Sequence, residues 1–85
     1  MSQSMEFDEH ALRLEARRRV AAGCLPCEPQ QSLWAGTGDG QPCSLCDRII
    51  HREQIEYELQ FSPSPQVVYR FHRICHQAWE LECTR

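Results

Sequence analysis

The sequence predicts a small α+β domain that needs a cross-link or a bound metal in addition to its apolar core. The chain has 85 residues, and a chain of this length buries only about 60–65% of the surface that its unfolded form exposes. Two segments that alternate apolar with polar residues predict strands, and a segment with one apolar helical face follows them. Six cysteines and four histidines provide the candidates for disulfides or metal ligands.

The first element that we expect is a helix over residues 5–22, within an N-terminal unit of residues 1–22. Ser4 or Asp8 is placed to cap it, and Gly23 is placed to end it. The arginine run at 17–19 lies near its end, where the helix dipole favours positive charge. We expect this run to be solvated, because three consecutive residues point in three directions and form no single basic stripe.

The apolar surface of this helix is thin. Its stripe consists of Phe7, Ala11, Leu14 and Ala21. Leu12 and Val20 point away from that stripe, so we expect the helix to pack loosely or to wait for a partner.

Residues 23–42 have the composition of an irregular linker. They contain three prolines and four glycines without hydrophobic periodicity. Trp34 is the one large apolar anchor among them, and we expect it to dock on the domain that follows. The string GTGDG lacks the spacing and the strand-to-helix context of a phosphate-binding loop, so we interpret it as part of the linker.

The predicted folded domain spans residues 43–85. IEYELQF alternates apolar residues with polar ones, which predicts a half-buried strand that carries Glu56 and Glu58 on its exposed side. SPSP predicts a turn and QVVYRFH a second strand, so that the two strands form a hairpin. The last element, RICHQAWELEC, is a helix whose apolar face consists of Ile74, Ala78 and Leu81.

A metal is favoured over disulfides by the setting that the sequence indicates. The N-terminal segment shows no secretory signal, and no stretch approaches the length of a membrane span. We therefore expect an intracellular, cytoplasmic protein without membrane association, where paired cysteines are more often metal ligands. Two sets of four ligands match common spacings: Cys24, Cys27, Cys43 and Cys46, or Cys43, Cys46, His72 and Cys75.

Backbone chemistry favours CSLC over CLPC as the metal-binding turn. In such a knuckle the N–H two residues after each cysteine donates to a thiolate. Pro26 and Pro29 occupy these positions after the CLPC cysteines and have no N–H. Leu45 and Arg48 occupy them in the CSLC turn, and Asp47 tolerates the left-handed conformation that often follows the second cysteine.

His72 and Cys75 are well placed to complete the site. His72 ends a predicted strand and Cys75 lies in the first turn of the following helix, where exposed N–H groups stabilise a thiolate. Cys83 is eight residues further along that helix, about 12 Å away, so it cannot join the same ion. We expect it to pack near Trp79 or to remain a free thiol.

The order of knuckle, hairpin and helix resembles a treble-clef zinc finger. The pattern C-x2-C…H-x2-C with an aromatic residue before the histidine is similar to half of a LIM domain and to the fingers of poly(ADP-ribose) polymerase type. CSLCDRII, EYELQF and FHRICHQAW also resemble small stand-alone bacterial zinc-finger proteins of unassigned function. The resemblance covers residues 43–82 and implies one structural Zn²⁺ held by Cys43, Cys46, His72 and Cys75.

The function that we expect is that of a non-enzymatic zinc-binding protein that serves as a protein-interaction module. No catalytic constellation is evident, and we expect His51 and His76 to be surface residues. The net charge is −3, which does not favour the alternative of a nucleic-acid-binding finger. A second alternative is a redox-responsive zinc and thiol switch, which the nearby Cys24 and Cys27 motivate.

Overall fold

The computed structural model describes residues 8–27, 32–61 and 64–84 of the chain. The elements in chain order are α1 (Glu9–Ala21), β1 (Ser32–Thr37), β2 (Ile55–Phe61), β3 (Ser64–His72) and α2 (Arg73–Cys83). The strands form one antiparallel sheet in the order β1-β2-β3. Helix α2 packs on β2 and β3, and α1 packs on α2. The architecture is therefore the small α+β fold that the sequence predicts, with one strand more than expected.

Local signals set both ends of α1. The side chain of Asp8 caps the helix by accepting a hydrogen bond of 3.0 Å from a first-turn backbone N–H. Gly23 has a φ of 80° and donates to the Val20 carbonyl at 3.1 Å, while the next N–H, of Cys24, donates to Arg19 at 2.8 Å. This pair of bonds is a Schellman motif, which requires the left-handed glycine. The cap and the stop are confirmed.

The predicted packing face of α1 is wrong. Leu12 and Ala16 are buried and Val20 is half-buried against the core, whereas Leu14 is 46% exposed. The buried residues follow an i, i+4, i+8 spacing that lies on another side of the helix. Ala16 has no exposed surface, and its small side chain allows close contact with α2. Ser4 and Phe7, which entered the prediction, lie outside the described residues.

The arginine run at 17–19 is ion-paired: Arg17 and Arg18 are exposed as expected, whereas Arg19 is partly buried. Arg17 Nε lies 3.0 Å from Glu82 of α2. Arg18 and Arg19 both contact Glu15, at 2.7 and 2.6 Å. The pair with Glu82 joins the two helices, because the glutamate side chain is almost completely buried between them.

The expected linker contains an edge strand. Ser32–Thr37 pairs antiparallel with β2, placing Trp34 opposite Glu58. The strand lacks an alternating pattern because it lies at the edge of the sheet, where its residues are mostly exposed. Trp34 is 56% exposed, so the prediction that it docks on the domain is wrong. Its indole lies over the neighbouring Gly36.

The predicted hairpin is present in β2 and β3. Leu59, Phe61 and Phe71 are buried on its core side. Residues 62 and 63 of the expected SPSP turn lie outside the described residues, and Ser64 already belongs to β3. Ile55 departs from the predicted alternation, because it is exposed at the start of β2.

Glu56 is the main exception to the predicted strand pattern, because its side chain is completely buried. One carboxylate oxygen accepts a hydrogen bond of 3.3 Å from the backbone N–H of Asp39. The other oxygen lies 3.5 Å from Arg70 Nε. Burial, followed by the neighbouring Glu58, raises the pKa of the Glu56 carboxyl. The loop that contains Asp39 therefore covers a position that alternation alone would place in solvent.

Helix α2 supplies most of the remaining core. Its residues Cys75, Ala78 and Trp79 are buried, and the Trp79 ring stacks on Phe71 with centroids 5.4 Å apart. Leu81 is 37% exposed, so its predicted place on the core face is wrong. The buried face of α2 is instead the one that contacts α1 and the hairpin.

Candidate metal centre

The CSLC segment forms a tight turn. The Cys43 N–H donates to the Arg48 carbonyl at 2.8 Å, and the Asp47 N–H donates to the Cys43 carbonyl at 2.9 Å. Asp47 has a φ of 66°, which confirms the predicted left-handed position. The Leu45 N–H points at the Cys43 sulfur at 3.4 Å, and the Arg48 N–H hydrogen-bonds to the Cys46 sulfur. Both predicted backbone donors are thus in place.

The other two side chains come from the junction of β3 and α2. His72 is the last residue of β3 and the N-cap of α2, and Cys75 lies in the first turn of that helix. His72 Nε2 lies 3.2 Å from the Ile49 carbonyl oxygen. Because a carbonyl can only accept, Nε2 carries the proton and donates, which leaves the Nδ1 lone pair for a ligand.

These four residues bring their ligand atoms together. The sulfurs of Cys43, Cys46 and Cys75 and a ring nitrogen of His72 all lie within 4.8 Å of one another. His72 Nδ1 is 3.5 Å from the Cys46 sulfur and 3.8 Å from the Cys75 sulfur. Zinc–ligand bonds of about 2.0–2.3 Å in a tetrahedron place neighbouring N and S ligands roughly 3.6 Å apart. The two separations from His72 match that spacing, so the cluster could hold a metal ion.

The pKa shifts of the three cysteines show how their sulfurs affect one another's charge, and therefore what a bound cation would change. Hydrogen bonds from the Cys46 and Cys75 thiols lower the pKa of Cys43. The Cys43 sulfur, followed by that of Cys46, raises the pKa of Cys75, and it also raises the pKa of Cys46. One thiolate is favoured and further negative charge is opposed, so a divalent cation would remove the repulsion that keeps the other thiols protonated.

Helix α1 and strand β3 support the knuckle from outside. Arg19 donates to the Ser44 carbonyl at 2.9 Å and to the Asp47 carboxylate at 2.7 Å. These partners hold the guanidinium in its charged form: Asp47, followed by Glu15, raises the pKa of Arg19, and Arg19 lowers that of Asp47. The Arg70 N–H donates to the Ser44 hydroxyl at 3.0 Å. Ser44 is thus held by both α1 and β3, and Asp47 is held by α1.

The cysteines outside this cluster do not form the alternative four-cysteine site. Cys27 forms a disulfide with Cys83, and Cys24 is an exposed free thiol. The expectation that Cys83 packs as a small apolar residue or remains a free thiol is therefore wrong. Its partner is 56 residues away in sequence, and no local pattern indicated the pair.

The two remaining histidine predictions have different outcomes. His51 is exposed as expected. His76 is buried, and its ring stacks on Tyr57 with centroids 4.6 Å apart. The prediction of a surface position for His76 is therefore wrong. Desolvation lowers the pKa of His76, so burial favours the neutral ring.

Comparison with protein-family models, with curated proteins and with solved structures gave no match for this chain. Among the residues that the structure describes, neither helix is long and apolar enough to cross a membrane.

Proposed function

We propose that this chain is a small non-enzymatic zinc-binding protein in which one Zn²⁺ has a structural role. The observation that carries the proposal is the convergence of Cys43, Cys46, His72 and Cys75 within 4.8 Å. Three thiolates and one imidazole suit zinc in a tetrahedral site. Four protein ligands leave no open coordination position for a substrate or an activated water, which favours a structural role over a catalytic one.

We further propose that the metal-binding half of the chain is a treble-clef finger. A knuckle, an antiparallel hairpin and a helix follow one another, and the candidate ligands lie in the knuckle and at the start of the helix. This order supports the resemblance that the sequence suggests. Helix α1 and strand β1 are additions to that arrangement.

The partner that we propose is another protein. Exposed apolar side chains lie on the sheet, namely Leu33, Trp34, Ile55 and Val67. A groove of about 460 Å³ beside the metal centre contains Ile55 and Ile74. Leu33 and Trp34 lie on opposite faces of β1, so these side chains do not form one continuous patch, and the groove is the feature that supports a protein partner. The paired arginines of α1 offer little uncompensated positive charge for a phosphate backbone.

Native mass spectrometry of purified protein tests the zinc proposal. We expect one zinc per chain in the wild type. Cys43→Ser and Cys75→Ser should lose the metal or bind it far more weakly, because serine is a poor zinc ligand at neutral pH. Cys24→Ser is the matched control, since it removes a cysteine outside the cluster, and it should retain one zinc. Zinc-free wild type, or equal zinc content in all variants, would contradict the ligand assignment.

A DNA and RNA retardation assay separates the two classes of partner. We expect no retarded migration of zinc-loaded protein at about 200 mM salt, where non-specific phosphate binding is weak. Sequence-selective retardation at that salt concentration would overturn the choice of a protein partner while leaving the zinc centre intact.

A further inference from the structure

Three cysteines lie outside the candidate metal centre, and their sulfurs can take part in the same thiol chemistry. Cys27 and Cys83 are bridged, and Cys24 is a free, exposed thiol three residues before Cys27. Cys27 is exposed, whereas Cys83 is only partly so. The sulfur of the bridge that an incoming thiolate reaches most easily is therefore that of Cys27.

The segment between Cys24 and Cys27 is anchored on α2. Leu25 is buried in the core. The Pro26 carbonyl accepts a hydrogen bond of 2.8 Å from the indole N–H of Trp79. These anchors place the dipeptide against α2 at the end of α1, and that dipeptide alone separates Cys24 from Cys27.

The spacing of the two cysteines suits a disulfide between them. Three residues span at most about 11 Å when extended, and a disulfide needs its Cα atoms about 5.5 Å apart. Only a turn through the intervening dipeptide is required. Cys-x-x-Cys is the spacing that thiol–disulfide oxidoreductases use for reversible bridges.

We propose that Cys24, Cys27 and Cys83 form a thiol–disulfide exchange site. The Cys24 thiolate attacks the Cys27 sulfur, a Cys24–Cys27 bond forms, and the Cys27–Cys83 bond breaks. The electron pair of the broken bond leaves on Cys83 as a thiolate, which takes up a proton equivalent to the one that Cys24 lost. The reaction is an isomerisation, so it needs neither an oxidant nor a reductant.

Exchange would change the tether of α2. In the Cys27–Cys83 form, the last residue of the helix is bound covalently to the segment that follows α1. In the Cys24–Cys27 form that tether is absent and Cys83 carries a new thiol. The metal ligands take no part in the step, so this site differs from a switch in which oxidation ejects zinc.

Differential alkylation followed by peptide mass spectrometry tests the exchange. Zinc-loaded protein with the Cys27–Cys83 bridge is incubated at pH 8 without oxidant or reductant, quenched in acid and labelled with N-ethylmaleimide. We expect a Cys24–Cys27 peptide and labelled Cys83 to increase together with time, in equal amounts. A tenfold dilution should leave their fraction unchanged, because the step is intramolecular.

Cys24→Ser is the matched control, since it keeps the bridge and removes the attacking thiol. In this variant Cys83 should remain unlabelled throughout, while the zinc content equals that of the wild type. The proposal is overturned if Cys24 stays the one labelled residue of the three in wild type after overnight incubation. It is also overturned if Cys83 is labelled equally fast in Cys24→Ser. Both results are read on Cys24, Cys27 and Cys83, which lie outside the candidate metal ligands.

Discussion

The Cys27–Cys83 bridge should contribute a large share of the stability of this chain. It joins residues 56 apart in sequence, and closing a loop of that length in the unfolded chain costs about 14 cal/mol/K by the loop-entropy relation, or about 4 kcal/mol at 25 °C. A chain of this size is typically stable by roughly 4–13 kcal/mol in total. Removal of the bridge should therefore cost between a third and all of the folding free energy.

The variant that removes the bridge without allowing a new one is Cys27→Ser/Cys83→Ser, which leaves Cys24 no partner among these three residues. Cys27 is exposed and Cys83 is partly exposed, so serine at either position removes little buried apolar surface. The measured loss then reports mainly the cross-link. Urea denaturation followed by tryptophan fluorescence, at one fixed free zinc concentration, gives the free energy of unfolding.

Cys24→Ser is the control for this comparison and should unfold within about 0.5 kcal/mol of the wild type, because it changes an exposed side chain. If the double variant differs from this control by less than about 1 kcal/mol, the bridge does not restrain the unfolded chain and the reasoning fails. A loss near 4 kcal/mol supports it.

Three further predictions concern the knuckle, the helix pair and the loop over the sheet. Asp47→Val should cost about 1–2 kcal/mol, because a β-branched residue is strained at a φ of 66°; chelator competition should show zinc affinity roughly five- to thirtyfold lower, whereas Asp47→Gly should lose less. Arg17, followed by Arg13, lowers the pKa of Glu82 from 4.5 to about 2. The stability that this carboxylate contributes is present above pH 4.5 and is lost as the pH falls toward 2. Wild type should therefore lose more stability between pH 5 and pH 3 than Glu82→Gln does. Equal losses in the two proteins would contradict this. Gly38→Ala should cost about 1–3 kcal/mol in urea denaturation, because its Cβ would overlap a backbone carbonyl of the loop opposite; an unchanged midpoint would show that the loop moves aside.

The part of the candidate metal centre that the sequence predicted depends on interactions within a few residues. Leu45 and Asp47 lie next to the cysteines that they support, and the requirement for a backbone N–H and for a left-handed residue can be assigned from residue types alone. His72 and Cys75 are distant from the knuckle in sequence, but the hairpin of β2 and β3 brings the chain back to the knuckle. Alternation of apolar residues is sufficient to predict that hairpin.

One group of features that the sequence did not reveal consists of those in which charged or very small side chains take the place of large apolar ones in the interior. The interface between α1 and α2 contains the buried Ala16 and the pair of Arg17 with Glu82. A search for large apolar stripes gives little weight to alanine and treats arginine and glutamate as solvent-facing. Glu56 was misplaced for a related reason, since the loop that covers it is distant from β2 in sequence.

Helix α1 therefore has a role that its weak apolar stripe does not suggest. Arg19 holds the outside of the knuckle, Arg17 holds α2, and the disulfide fixes the segment after α1 to the end of α2. Each of these links joins α1, or the segment that follows it, to an element that carries a candidate metal ligand. If the cluster holds a structural metal, the folding of the knuckle and of α2 would be coupled to it, so loss of α1 contacts should weaken metal binding even though the helix supplies no ligand. An N-terminal region that looked like an optional extension is better understood as a support for the candidate metal centre.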